Sequence, residues 1–125
     1  MIKLKSLLKE QSVKINKEFN DELIDRINDE YGENFTADSL TCNAINDGYC
    51  DIWSQLFTDK FGGKRQWSVD FPIDQGVHHW VNLNNKYYDA EAPEGVSSIE
   101  ELPFIKRAIQ KKGRNWLNDI EIESD

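Results

Sequence analysis

The chain has 125 residues, 38% of them hydrophobic and 30% charged, and carries a net charge of −8 from 15 basic and 23 acidic side chains. That length suits one domain, 1–125, whose single core needs no metal or disulfide to hold it. The composition excludes a membrane protein and a disordered tail, and so acidic a surface repels phosphate, so neither a membrane nor a nucleic acid is an expected partner.

The charge is uneven: the first seventeen residues hold five Lys and one Glu, and the last seven hold four acids. No stretch approaches the ~20 apolar residues of a membrane span. The opening Met1-Ile-Lys-Leu-Lys-Ser-Leu-Leu-Lys has charges but no apolar secretory core or small-residue cleavage site. The expectation is a cytoplasmic protein in a reducing compartment, with Cys42 and Cys50 as free thiols.

Residues 1–16 read as a mobile basic arm or, over 1–10, as a short amphipathic helix through Ile2, Leu4, Leu7 and Leu8. Phe19, Leu23, Ile24, Ile27 and Tyr31 recur at helical spacing and predict a helix over 17–31, stopped by Gly32. Residues 37–46 read as a short helical turn that Asp47-Gly48 breaks. A second helix is predicted over about 50–60, with Ile52, Trp53, Leu56 and Phe57 inward and Gly62-Gly63 at its end.

The period then changes to two. Residues 64–71 and 77–83 alternate as strands, Asn84-Asn85 makes a two-residue hairpin turn, and 86–91 return. Pro93 and Gly95 mark a loop, and Ser98 with Glu101 has capping-box spacing. A last helix is predicted over 103–112, with Pro at its start and Gly113 at its stop. The tail 114–125 has no assignment, although Trp116, Leu117, Ile120 and Ile122 point to partial packing. Helices first, then an antiparallel sheet, then a helix give an α+β fold with N-terminal helices packed on a small sheet.

The chemistry concentrates at Asn46-Asp-Gly-Tyr-Cys-Asp-Ile-Trp53. Cys50 follows a glycine turn and opens a helix, where unpaired N–H groups favour a thiolate and can later hold an oxyanion. Asp51 works against this, being negative and next in sequence. A thiolate needs a base, and the base an orienting partner. The only histidines are His78 and His79. With a two-residue turn at Asn84-Asn85, alternation puts His78, Trp80, Asn82, Tyr87, Asp89 and Glu91 on one face of the hairpin. His79, Val81, Leu83, Lys86, Tyr88 and Ala90 take the other. Asp89 then lies diagonal to His78, at ~7–8 Å between backbones, and within side-chain reach. His79 shares its face with Val81 and Leu83, which reads as core, so His78 ranks ahead of it; a one-residue change of register reverses the two.

Gly48-Tyr-Cys50 at a helix start, His78-His-Trp80, and Tyr87-Tyr-Asp-Ala-Glu-Ala-Pro93 together resemble the core of the papain-like and transglutaminase-like cysteine hydrolases. The resemblance spans residues 42–105. It implies Cys50 as nucleophile, His78 as general base and acid, Asp89 as the group orienting the imidazole, and Trp80 as a wall of the site. Tyr87 shares that face, and Asn43, upstream of Cys50, is the candidate for an additional oxyanion donor. The activity implied is a cysteine hydrolase or acyl transferase acting on an amide or isopeptide bond of a protein or peptide, with no cofactor.

Other uses of these residues rank lower. Zinc binding by Cys42, Cys50, His78 and His79 is opposed by the two histidines pointing to opposite faces of a strand and by the lack of a Cys-x-x-Cys. A Cys42–Cys50 disulfide is opposed by the reducing compartment, and Cys42 reads as a buried thiol. The rival function is a catalytically inactive, acidic binding module on the same fold, docking on a basic protein.

Overall fold

A computed structural model describes residues 15–69 and 78–125. The expectations for residues 1–14, and the ends of the two strands predicted into 70–71 and from 77, lie outside them. The described chain is α+β, as predicted.

Helix α1 (Lys17–Tyr31) starts where the Asn16 side chain accepts from the Phe19 N–H and stops at Gly32, whose φ of 65° is the left-handed conformation glycine adopts freely. It buries Phe19, Leu23 and Ile27. Helix α2 (Cys42–Gly48) is capped by the Thr41 hydroxyl, which accepts from the Ala44 N–H. Asp47-Gly48 does not break it. The chain turns instead at Tyr49 (φ −130°, ψ 19°), which ends α2 and caps α3 (Cys50–Phe61). The Tyr49 N–H donates back to the Ile45 carbonyl, and its own carbonyl accepts from Trp53, so the two helices abut with no loop between them.

The sheet is antiparallel with strand order β4-β3-β2-β1-β5, comprising β1 (Lys64–Val69), β2 (His79–Leu83), β3 (Lys86–Asp89), β4 (Ala92–Val96) and β5 (Glu121–Ser124). Asn84 and Asn85 turn the β2–β3 hairpin at φ 53° and 65°, and Leu83 faces Lys86, Asn82 faces Tyr87 and Val81 faces Tyr88. Register and turn are those the sequence predicts.

Strand β4 runs through the segment read as a loop from Pro93 and Gly95. An edge strand accepts a proline, because one side of its backbone needs no partner. Gly95 is there for space: at φ 87°, a Cβ on it would sit 2.7 Å from the Tyr88 ring. A 3-10 turn (Ile99–Glu101) leads into α4 (Pro103–Lys112), which ends at Gly113. The Ser98 side chain makes no capping bond; Glu101 reaches back to the Ser97 N–H instead. The tail then forms α5 (Asn115–Asp119), which buries Trp116, and β5, which pairs with β1.

The sheet is sandwiched between two helical layers. One face, through Val81, Tyr88 and Ala90, packs on α1, α2 and α3 around Phe19, Leu23, Ile27, Trp53, Leu56 and Phe57. The other, through Trp80 and Ala92, packs on Leu102, Ile105 and Trp116. Among the described residues no helix is long and apolar enough to cross a membrane.

Candidate functional site

Cys50 is the first residue of α3 and is 6% exposed. Helix α3 lies on the Val81 face of the sheet, the face to which alternation also sends His79. The Cys50 sulfur therefore meets His79: Sγ is 3.7 Å from Nδ1, and the backbone N–H of His79 donates to Sγ at 3.4 Å. Trp67, directly opposite His79 on β1, sets its ring 5.6 Å from the imidazole. The Trp67 indole N–H donates to Glu123 on β5.

The electrostatics are those of a neutral pair. Burial pushes the Cys50 thiol up to about 11, with Asp51 adding to the effect; the N–H groups of His79, Cys50 and Asp51 pull the other way without cancelling it. Burial holds His79 below the ordinary imidazole value, against the opposing pull of Asp51. Asp51 itself turns to α1, where it accepts from the Tyr31 hydroxyl at 2.8 Å and raises the Tyr31 phenol to about 12.

His78 and Asp89 also meet, on the opposite face. His78 Nε2 lies 2.8 Å from Asp89 Oδ2, and both side chains are buried. Asp89 Oδ1 accepts from the N–H groups of Glu91 and Ala92. The His78 ring stacks on Phe104 of α4 at 4.1 Å, and its backbone N–H donates to the Ser68 hydroxyl.

The structure thus divides the expected trio of Cys50, His78 and Asp89. The predicted His78–Asp89 contact is present, but the histidine at Cys50 is His79. The reason is layer geometry. A cysteine on a core helix can reach only the sheet face that helix covers, and that is the apolar face on which His79 stands. Ranking His78 first rested on the carboxylate of its own face, which here is buried under α4 and α5.

Trp80 goes with that second face: it is fully buried and its indole N–H donates to Gln66. Tyr87 packs half-buried against the same cluster. Asn43 is exposed on α2, and no hydrogen bond among the described residues joins it to Cys50, His79 or Asp89. Cys42 is exposed, not buried, and both thiols are free. Tyr31 and Glu123 carry no sequence signal as site residues, whereas Trp67 stands among the aromatic residues (Trp53, Trp67, Trp80, Tyr87, Tyr88 and Trp116) that sequence offers as a ligand platform or, more commonly, as core. Its place opposite His79 follows from the pairing of the alternating segment 64–71 with the histidine strand.

Among the described residues no group of three or more His, Cys, Asp and Glu side chains is placed to hold a metal ion. Comparison with protein-family models, curated proteins and solved structures gives no match.

Proposed function

We propose that the protein is a cysteine hydrolase or acyl transferase acting on an amide or isopeptide bond, with Cys50 as nucleophile and His79 as proton acceptor. The observation that carries this reading is the contact of Cys50 Sγ with His79 Nδ1 at a helix start. His79 Nδ1 takes the thiol proton as the sulfur attacks the substrate carbonyl carbon. The N–H groups at the start of α3 stabilise the tetrahedral oxyanion. The imidazolium returns the proton to the leaving amine as the C–N bond breaks, leaving a thioester, which water or a second amine resolves. No cofactor enters these steps. The order of helix, strand and strand supports the papain-like and transglutaminase-like reading; in it, the His78–Asp89 pair anchors the strand that carries the base. A protein or peptide is the substrate class, and the net charge of −8 disfavours nucleic acid.

A specific observation favours a second reading. A thiol held near 11 beside an imidazole held below its ordinary value is a resting pair without thiolate, as in an inactive acidic module that docks on a basic partner. One experiment separates the two. An activated thiol or phenyl ester is mixed with Cys42→Ser protein, and acyl adducts are followed by intact mass. The enzyme reading expects a transient adduct on Cys50 that turns over, about 100-fold slower in His79→Ala and far less affected in His78→Ala. Absence of acylation, or acylation indifferent to His79, removes the enzyme reading and leaves the module.

A further inference from the structure

On α4, Phe104, Arg107, Ala108, Lys111 and Lys112 recur at i, i+3, i+4, i+7 and i+8, which places them on one stripe of the helix. With Trp116 of α5 that stripe lines a cavity of about 210 Å3. The Phe104 and Trp116 rings and the Ala108 methyl are its apolar walls, and Phe104 is fixed from behind by its stack on the buried His78. A cation stands over each ring: the Arg107 guanidinium is 5.8 Å from the Phe104 centroid and the Lys112 ammonium 5.4 Å from that of Trp116. No acidic side chain among the described residues lines the cavity. The chain around it is equally one-sided, since residues 102–118 hold five of the 15 basic side chains and none of the 23 acidic ones. Arg107 and Arg114 are paired from outside that run, with Glu91 and Glu100. Lys111 is exposed at the cavity and has no hydrogen bond or ion pair among the described residues.

We propose that this cavity docks an acidic peptide segment of another protein, with one apolar side chain seated between the two rings and a flanking carboxylate on Lys111. Three observations select that occupant. The cavity is smaller than the roughly 300–1,000 Å3 of sites that enclose a whole small molecule, so it suits a single side chain. Its aromatic walls reward an apolar group withdrawn from water. Its rim is cationic without an acid of its own, and the unpaired Lys111 offers its charge to a carboxylate at no cost to an existing ion pair. A nucleic acid would bring closely spaced phosphates against a chain of net charge −8, whereas a peptide needs only the carboxylates that reach this rim. The cavity lies on the sheet face opposite Cys50 and His79, so the proposal does not depend on Cys50 chemistry.

The probe is a fluorescein-labelled synthetic peptide with one central Phe flanked on each side by Glu residues, followed by fluorescence anisotropy in low salt. It is titrated with the full chain, with Lys111→Glu, with Ala108→Leu, which fills the cavity without changing charge, and with Lys64→Glu, the same charge reversal at an exposed position on β1. The expected result is saturable binding that Lys111→Glu and Ala108→Leu each weaken at least about tenfold, while Lys64→Glu changes it less than about twofold. Replacing the probe's Phe by Ala should cost at least about tenfold as well. Should Ala108→Leu lose its fold by circular dichroism, Lys111→Glu and the probe lacking Phe decide. Absence of saturation by about 1 mM overturns the proposal. So does equal weakening by Lys64→Glu, which reduces the effect to net charge, or equal binding of the probe lacking Phe, which removes the pocket. A uridine oligonucleotide that binds more tightly than the probe, and through Lys111, overturns it in favour of nucleic acid.

Discussion

A carboxylate cut off from water needs other donors, and Asp89 has three: the His78 ring and the N–H groups of Glu91 and Ala92. Asp89→Ala leaves all three buried donors without their acceptor, and the expected loss is about 3 kcal/mol or more by urea unfolding. A loss below about 1 kcal/mol would mean that the pair is not a structural anchor. The neighbouring Cys50–His79 pair shapes the pH dependence instead. Folded His79 resists protonation below its ordinary value, so its contribution is present above ~6.5 and lost as pH falls, when the unfolded chain takes up the proton first. Folded Cys50 keeps its proton to about 11. Its contribution is present below ~8.5 and lost as pH rises, when the unfolded thiol ionises first. Urea midpoints against pH should show both limbs. His79→Phe should flatten the limb just below neutrality, and Cys50→Ala the alkaline one; unchanged slopes would refute the assignment. Sequence alternation separated the two histidines correctly into faces. It could not say which face the cysteine helix covers, because that depends on how α3 packs.

At the scale of elements, the legible pieces carry their signals locally. Helix α1 has its aliphatic stripe and Gly32, the hairpin has Asn84-Asn85, and α4 has Pro103 and Gly113. Strands β4 and β5 were missed because their signals are not local. β4 is short, with Pro93 and Gly95 inside it, and its glycine answers to Tyr88 across the hairpin. β5 lies in the tail 114–125, which has no assignable local pattern; its four residues are all exposed, and only pairing with β1 makes it a strand. Two glycines test the point in opposite directions. Gly95→Ala forces a Cβ against the Tyr88 ring at a left-handed φ and is expected to cost about 1–3 kcal/mol. Gly48→Ala meets nothing within 4 Å and lies in α2, so it should be neutral or stabilise by up to about 1 kcal/mol. Thermal melts of both check this. A destabilising Gly48→Ala would restore the turn that the Asp47-Gly48 pair suggests.

The whole molecule is two helical layers sharing one sheet, and one polar clamp ties them together at the end of the sheet. Glu91, just beyond β3, accepts from the Asn46 amide of α2 at 2.7 Å. It also takes both arms of the Arg107 guanidinium from α4, at 2.7 and 2.9 Å. Its carboxyl is held below the ordinary value, first by Arg107, while partial burial opposes. Most surface ion pairs are nearly worthless because water and side-chain entropy cancel them. This one differs in being bidentate, in having an amide buried on its other side, and in joining elements from opposite faces of the sheet. Its partners are 45 and 16 residues away in sequence, so no local pattern announces it. If the clamp couples the layers, Glu91→Ala and Arg107→Ala will not add. Each single change should cost about 1–2 kcal/mol, and the double-mutant cycle should return a coupling of about 1 kcal/mol. Asn46→Ala should couple to Glu91→Ala in the same way. Tryptophan fluorescence sees both layers at once, since Trp53 lies in the first and Trp80 and Trp116 in the second. In the parent chain, tryptophan fluorescence and far-ultraviolet dichroism should report one coincident urea transition. Additive single costs would reduce the clamp to an ordinary surface pair and leave the sheet alone to bind the layers.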